Sequence, residues 1–319
     1  MTAGVPDDRA LLFTVVIPLF NKSAHIQATL ASVAAQTHDA FEVIVVDDGS
    51  TDGSDALVEA WDDSRLRLVR QANGGPGLAR NRGVDEARGA WVAFIDADDL
   101  WLPDHLATLA EAMTACPAAD VAAAGYVRGH TVQAISEQDR GPPRVVDFLA
   151  EHDRFWTSAV AIRTALLRHE RFGMVWPGED VELWTRLALR HVFALHSRRT
   201  AVYVQLTGGA MDSQSGAGAA VPIQQQPLFN TIESALSDHN LADRHDALER
   251  FRNALLLEYV RPALFTGQVV MAREYLSALS GHGVRAPLQY RVLACLPGSL
   301  LARLARLYSS VKRRVAAYD

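Results

Sequence analysis

Asp96, Asp98 and Asp99 stand within four positions, directly after the apolar run WVAFI (91–95). Carboxylates this close repel one another unless a cation compensates, and hard oxygen ligands of this kind suit Mg²⁺ or Mn²⁺, which in turn bind phosphate oxygens. The chemistry implied is a metal and diphosphate site. Asp47 and Asp48 close a second apolar run, FEVIVV (41–46), in the same way, and Glu179 and Asp180 stand ahead of a helical pattern carrying Leu183, Trp184, Leu187 and Ala188 on one face. Taken alone, the first cluster also fits a solvated acidic turn that caps a following helix, with Asp99 as the cap.

These acids need elements to position them. LLFTVVIP (11–18) reads as a buried first strand, 41–46 as a second, 66–69 as a third and 91–95 as a fourth. Helices are expected between them: one capped by Ser23 with Ile26, Leu30, Val33 and Ala34 on one face, one over 54–61, and one fed by the Gly74–Gly77 loop and carrying Arg80 and Asn81. This alternation predicts an α/β fold with a right-handed, doubly wound, mostly parallel sheet, whose ligands bind outside the carboxyl ends of the strands. After a helix over 103–115, further strands are expected at 121–127, 158–162, 192–196 and 201–205, with a polar loop at 128–144. The Gly/Ser/Ala-rich stretch 208–218 reads as a linker, giving a catalytic domain over 1–215 and a helical region over 216–319.

Composition narrows the classes. A chain of 319 residues with 49% hydrophobic residues builds a sizeable core, and a net charge of -6 argues against a nucleic-acid binder. Cys116 and Cys295 form neither a disulfide framework nor a metal pattern, which suits a reducing compartment. No window reaches the 18 or so uninterrupted apolar residues of a membrane span, so the expected location is cytoplasmic. One segment qualifies this. SLLARLARLYSSVKRRVAAYD (299–319) places Leu301, Leu304, Tyr308, Val311 and Val315 on one helical face and four arginines off it, a pattern suited either to an anionic membrane surface or to packing on neighbouring helices.

Taken together, VVIPLFN (15–21), VIVVDDGSTD (43–52), GLARNRG (77–83), FIDADDLWLPD (94–104) and PGED (177–180) resemble the family-2 inverting glycosyltransferases of the GT-A fold. The resemblance covers roughly residues 10–205 and implies transfer of a sugar from a nucleoside-diphosphate donor, UDP-linked by preference, to an acceptor hydroxyl with inversion. It implies a cell-surface polysaccharide or glycolipid as product, with a glycan or lipid-linked acceptor. Carried over residue by residue, Pro18, Phe20 and Asn21 lie beside the nucleotide base, Asp48 accepts a base N–H, and Arg80 sits near the nucleotide or in an ion pair. Asp96 contacts ribose or assists the metal, Asp98 binds Mn²⁺ or Mg²⁺, Asp180 is the general base, and Glu179 orients the acceptor or caps the helix. The family's histidine near a Tyr-Arg pair has no counterpart in YVQLTGGAMDSQ (203–214), which leaves Asp212, Gln214 or water for that place.

Rival classes fit less well. A dinucleotide-binding oxidoreductase needs a Gly-rich fingerprint where this chain has Pro18, Leu19, Phe20 and Asn21, and the phosphate-cradling Gly-X-X-X-X-Gly-Lys-Ser/Thr loop is absent. A nucleotidyltransferase of similar architecture, or a nucleotide-sugar-binding module that has lost turnover, are the remaining alternatives.

Overall fold

A computed structural model describes residues 13–129, 131, 141–174, 178–204, 222–265 and 268–279, with 290, 292, 295–297 and 300 beyond them. The stretches 208–218, with Asp212 and Gln214, and 301–319, with the basic amphipathic pattern, lie outside the described residues. By contacts the chain divides into two compact units, Met1–Gln205 and Leu206–Asp319.

The first unit is built on a nine-stranded sheet of order β3-β2-β1-β4-β8-β6-β9-β5, with β7 also paired to β9. β1 (Phe13–Leu19), β2 (Phe41–Asp47), β3 (Leu66–Arg70) and β4 (Trp91–Phe94) are mutually parallel and linked by α1 (Ile26–Ala34), α2 (Ser54–Glu59) and α3 (Pro76–Glu86). After β5 (Leu100–Trp101) and α4 (His105–Ala115) come β6 (Val121–Gly129), β7 (Arg144–Val146), α5 (Phe148–Glu151), β8 (Val160–Arg163), α6 (Thr164–Leu167), α7 (Glu179–Ala188) and β9 (Phe193–Val204). β8 runs antiparallel to both β4 and β6, while β6 and β9 are parallel. The sheet is therefore mixed beyond β4.

Alternation along β1 explains the two helical layers. Phe13, Val15, Ile17 and Leu19 pack with Ile26, Leu30 and Val33 of α1 and Leu106 and Leu109 of α4, whereas Ile44 and Val46 face Ala79 of α3 on the other side. Fully burying each such Val, Leu or Ile contributes about 1.5–3 kcal/mol. α3 lies close enough to β1 that a Cβ on Gly83 would stand 2.4 Å from Val16 Cγ1, so only glycine lets the helix carrying Arg80 approach the sheet.

Three expectations need correction. Ser23 does not cap α1: the helix begins after His25 with no side-chain cap, and the Ser23 N–H donates to Asp52 at 2.9 Å. The strands expected at 192–196 and 201–205 are one strand, because β9 continues through the polar Ser197–Arg199 with register shifts against Ala124–Tyr126 instead of ending there. Asp99 caps nothing. It precedes β5, and its side chain turns inward.

His105, at the start of α4, is buried, stacks on Trp101 with ring centroids 4.3 Å apart, and shares a 2.8 Å hydrogen bond between Nδ1 and Thr200 Oγ1. Burial lowers its pKa to about 3. The unfolded chain takes up this proton below its ordinary value of 6.5, whereas the folded chain refuses it, so this contribution to stability falls as pH drops from 6.5 toward 3. Urea unfolding at pH 7, 5 and 4 should show a loss for wild type exceeding that of His105→Phe by roughly 1 kcal/mol per pH unit below 6. Parallel slopes would show that the histidine does not carry this dependence.

The second unit is helical, with α8 (Pro227–Ser237), α9 (His245–Phe265) and α10 (Val269–Ser277) packed through Phe229, Tyr259 and Tyr275. Among the described residues, no helix is long and apolar enough to cross a membrane.

Candidate functional site

β4 ends against β1 and releases its acids into a tight turn, closed by the bond from the Asp99 N–H to the Asp96 carbonyl at 3.0 Å. The Asp96 N–H donates to Ser158 Oγ at 3.0 Å, and Asp98 pairs with Lys22 from the loop after β1. Asp99 accepts from Ser158 Oγ at 2.5 Å, Trp156 Nε1 at 2.9 Å and the Val204 N–H at 2.9 Å. Burial first, then the Asp96 charge, pushes its pKa up to about 8 against the pull of the Ser158 and Trp156 bonds. Two of the three acids thus remain at the edge, and the third locks the segment leading into β8.

Arg80 connects this edge to α7. Its guanidinium, only 4% exposed, donates to Asp96 at 2.8 Å and to Glu179 at 2.6 Å, and lies 5.4 Å from the centre of the Phe172 ring. Of the two roles the sequence allowed Arg80, nucleotide contact and ion pair, the ion pairs to Asp96 and Glu179 are present. Burial works to lower its pKa, but the charges of Asp96, Glu179 and Asp180 hold it above the ordinary value. Glu179 moves upward because burial and Asp180 outweigh the opposing pull of Arg80. Among the described residues, Arg80 Nε has no hydrogen-bond partner.

Asp180, beside Glu179 in the first turn of α7, accepts from Thr157 Oγ1 at 2.6 Å and from the Val181 N–H at 2.8 Å. Sequence reasoning missed Trp156 and Thr157 and read Ser158 only as a strand start. The available signal was their place just ahead of β8, the strand that pairs with β4.

On the other side of β1, the buried Asp48 accepts from Gln71 Nε2 at 2.7 Å and from the N–H groups of Gly74 and Gly75 at 2.9 and 2.8 Å. Its carboxylate shapes the loop that starts α3. Pro18 pairs in register with Val46 at the ends of β1 and β2. Next along, Phe20 is 45% exposed. Asn21 takes a left-handed φ of 52° and binds the second loop through its N–H to Ser50 Oγ at 3.1 Å and from the Thr51 N–H at 2.8 Å. The result is an exposed aromatic residue at the carboxyl end of β1, beside the loop after β2, suited to stacking.

Asp96 and Asp98 offer hard oxygens at one strand end, each already facing a cationic side chain. Among the described residues, no three His, Cys, Asp or Glu side chains are arranged to hold a metal ion. By their chemistry, the hard oxygens of Asp96 and Asp98 suit a Mg²⁺ or Mn²⁺ held by one or two carboxylates and completed by diphosphate and water.

Residues 14–172 match the model of glycosyl transferase family 2. The succinoglycan biosynthesis protein ExoW of Rhizobium meliloti (strain 1021) is 47% identical over 107 residues, which are 32% of this chain and 34% of that protein. The match thus spans about a third of that relative's length. The crystal structure of S. aureus TarS 1-349 in complex with UDP-GlcNAc superposes with a TM-score of 0.68 at 22% identity, covering 88% of this chain and 83% of that one. The mannosyltransferase PcManGT from Pyrobaculum calidifontis, in complex with GDP-Man and Mn²⁺, gives a TM-score of 0.57 at 21% identity over 96% of this chain and 85% of that one. At these identities the two structures establish the GT-A type fold.

Proposed function

The chain belongs, through residues 14–172, to glycosyl transferase family 2, and on that premise we propose that it moves a sugar from a nucleoside-diphosphate donor, UDP-linked in our reading, to an acceptor hydroxyl with inversion. The acceptor is a glycan or a lipid-linked sugar in cell-surface polysaccharide synthesis; the similar ExoW is named for succinoglycan biosynthesis. The observation that carries the reading is Arg80. By binding Asp96 and Glu179 together it fixes the acidic strand end, where a diphosphate would sit, beside the helix start that holds Asp180.

The roles follow from this arrangement. Phe20 stacks on the base, and the loop shaped by Asp48 and Asn21 borders the nucleotide. Asp180 accepts the proton of the acceptor hydroxyl as that oxygen bonds to the anomeric carbon, while the carbon–oxygen bond to the diphosphate breaks on the opposite face and the nucleoside diphosphate leaves with the electron pair. Thr157, donating to Asp180 at 2.6 Å, orients the carboxylate. A Mg²⁺ or Mn²⁺ on Asp98 and Asp96 would supply neutralisation of the diphosphate charge. Glu179, engaged by Arg80, positions and does not take the proton.

Asp98→Asn should leave the circular dichroism spectrum unchanged and weaken Mn²⁺-dependent UDP binding by at least the roughly 10- to 100-fold seen when an outer-shell partner of a metal ligand is lost. Calorimetry giving the same UDP–Mn²⁺ affinity for both proteins would remove Asp98 from the metal site.

A further inference from the structure

Next to this site, β6, β9 and the turn at His152–Arg154 line a half-open pocket of about 280 Å³, with Tyr126, Arg128, Asp153, Arg154, Ser197 and Arg199 among its lining residues. Three arginines and one aspartate are among its lining residues, in a chain whose net charge is -6. Arg154 is partly answered by Glu151 at 3.1 Å, a carboxylate that Arg144 also engages at 2.8 Å. Arg128 instead lies over the Tyr203 ring, 5.9 Å from its centre.

Irregular strand pairing builds the cavity. The β6–β9 register shifts on both sides of Gly125, pairing Ala124 with His196, Gly125 with Arg199 and Tyr126 with Ala201. The strands approach so closely that a Cβ on Gly125 would stand 2.8 Å from the Ser197 carbonyl oxygen. Such bulges re-aim side chains beside active sites, and here Ser197 and Arg199 line the cavity from the shifted stretch.

Aromatic rings connect the cavity to the acidic edge. Tyr126 stacks on Trp156 at 5.9 Å, Trp156 meets Tyr203 at 4.2 Å, and the Trp156 indole N–H donates to Asp99. Thr157, the residue after Trp156, holds Asp180. Guanidinium forks match carboxylate and phosphate oxygens. The volume lies just below the usual range of ligand pockets, about 300 to 1,000 Å³, which suits a single charged group.

We propose that this pocket is a subsite for an anionic group, carboxylate or phosphate, carried by the acceptor. The proposal rests on the glycosyltransferase reading above. Its test is direct binding to the full chain, by calorimetry, of glucuronate, glucose 1-phosphate and methyl glucoside, together with UDP–Mn²⁺. The expected result is binding of the anionic sugars at least tenfold tighter than of methyl glucoside. The double variant Arg128→Gln/Arg199→Gln should lose that preference while keeping UDP–Mn²⁺ affinity and its melting temperature. Tighter glucose 1-phosphate points to a phosphate-bearing acceptor, and tighter glucuronate to an acidic glycan. Equal binding of charged and neutral sugars, no binding of either anion, or an unchanged preference in the folded double variant overturns the proposal. Failure of UDP–Mn²⁺ to bind while the anions bind Arg128 and Arg199 would sink the donor reading and leave the anion site standing.

Discussion

Arg80→Met should lower the unfolding free energy by about 3 to 5 kcal/mol, the usual cost of removing one partner from a buried ion pair. The loss is large because two acids depend on this one cation. Glu179 is as buried as Arg80, and Asp96 is 28% exposed. Methionine fills much of the side chain's volume and supplies no charge, so the cost reports electrostatics more than a cavity. Arg80→Met/Glu179→Gln should then recover part of the loss, since the second change removes the deeper stranded carboxylate. Urea unfolding at pH 7 measures both. A single variant within about 1 kcal/mol of wild type, in the range of exposed pairs, would show that the bridge is worth no more than a surface contact.

Asp180→Asn should cut transfer by about 100- to 10,000-fold, the range for loss of a general base, while UDP–Mn²⁺ affinity stays within a few-fold. Asparagine preserves the shape and an acceptor oxygen for Thr157 and gives up only the bond from the Val181 N–H, so the fold is spared. Thr157→Val should cost less and raise the acceptor KM alongside a fall in kcat, because it frees the carboxylate without removing it. Rates for Asp180→Asn near wild type would move the base elsewhere, with Glu179 the first alternative, though its oxygen already serves Arg80 at 2.6 Å.

What the sequence made legible depended on chain neighbours. Apolar runs ending abruptly in Asp47–Asp48 and in Asp96–Asp98 placed acids at the carboxyl ends of β2 and β4, because a buried parallel strand must be apolar throughout and its end is where polarity can return. The role of Asp99 was illegible because its partners, Ser158, Trp156 and Val204, are 57 or more positions away. Its inward turn depends on β8 running antiparallel beside β4, which no local pattern announces. Ser197–Arg199 read as a break because three polar residues end an apolar run, yet they continue β9 through a bulge. Asp48 was legible in place but not in partners, since its three donors come from the segment between β3 and α3.

The direction change at β4 bears on how the chain is made. β1 to β4 with their helices occupy residues 13–94 and pair only with one another until β8 arrives at residues 160–163. During synthesis this four-stranded block has all its own strands while the segment bearing Glu179 and Asp180 is still unmade. For that interval β4, with the sequence WVAF, carries an unpaired apolar edge. Such an edge invites pairing with another nascent chain. The antiparallel β8, which follows Thr157, is thus also the strand that closes this apolar edge of the growing polypeptide.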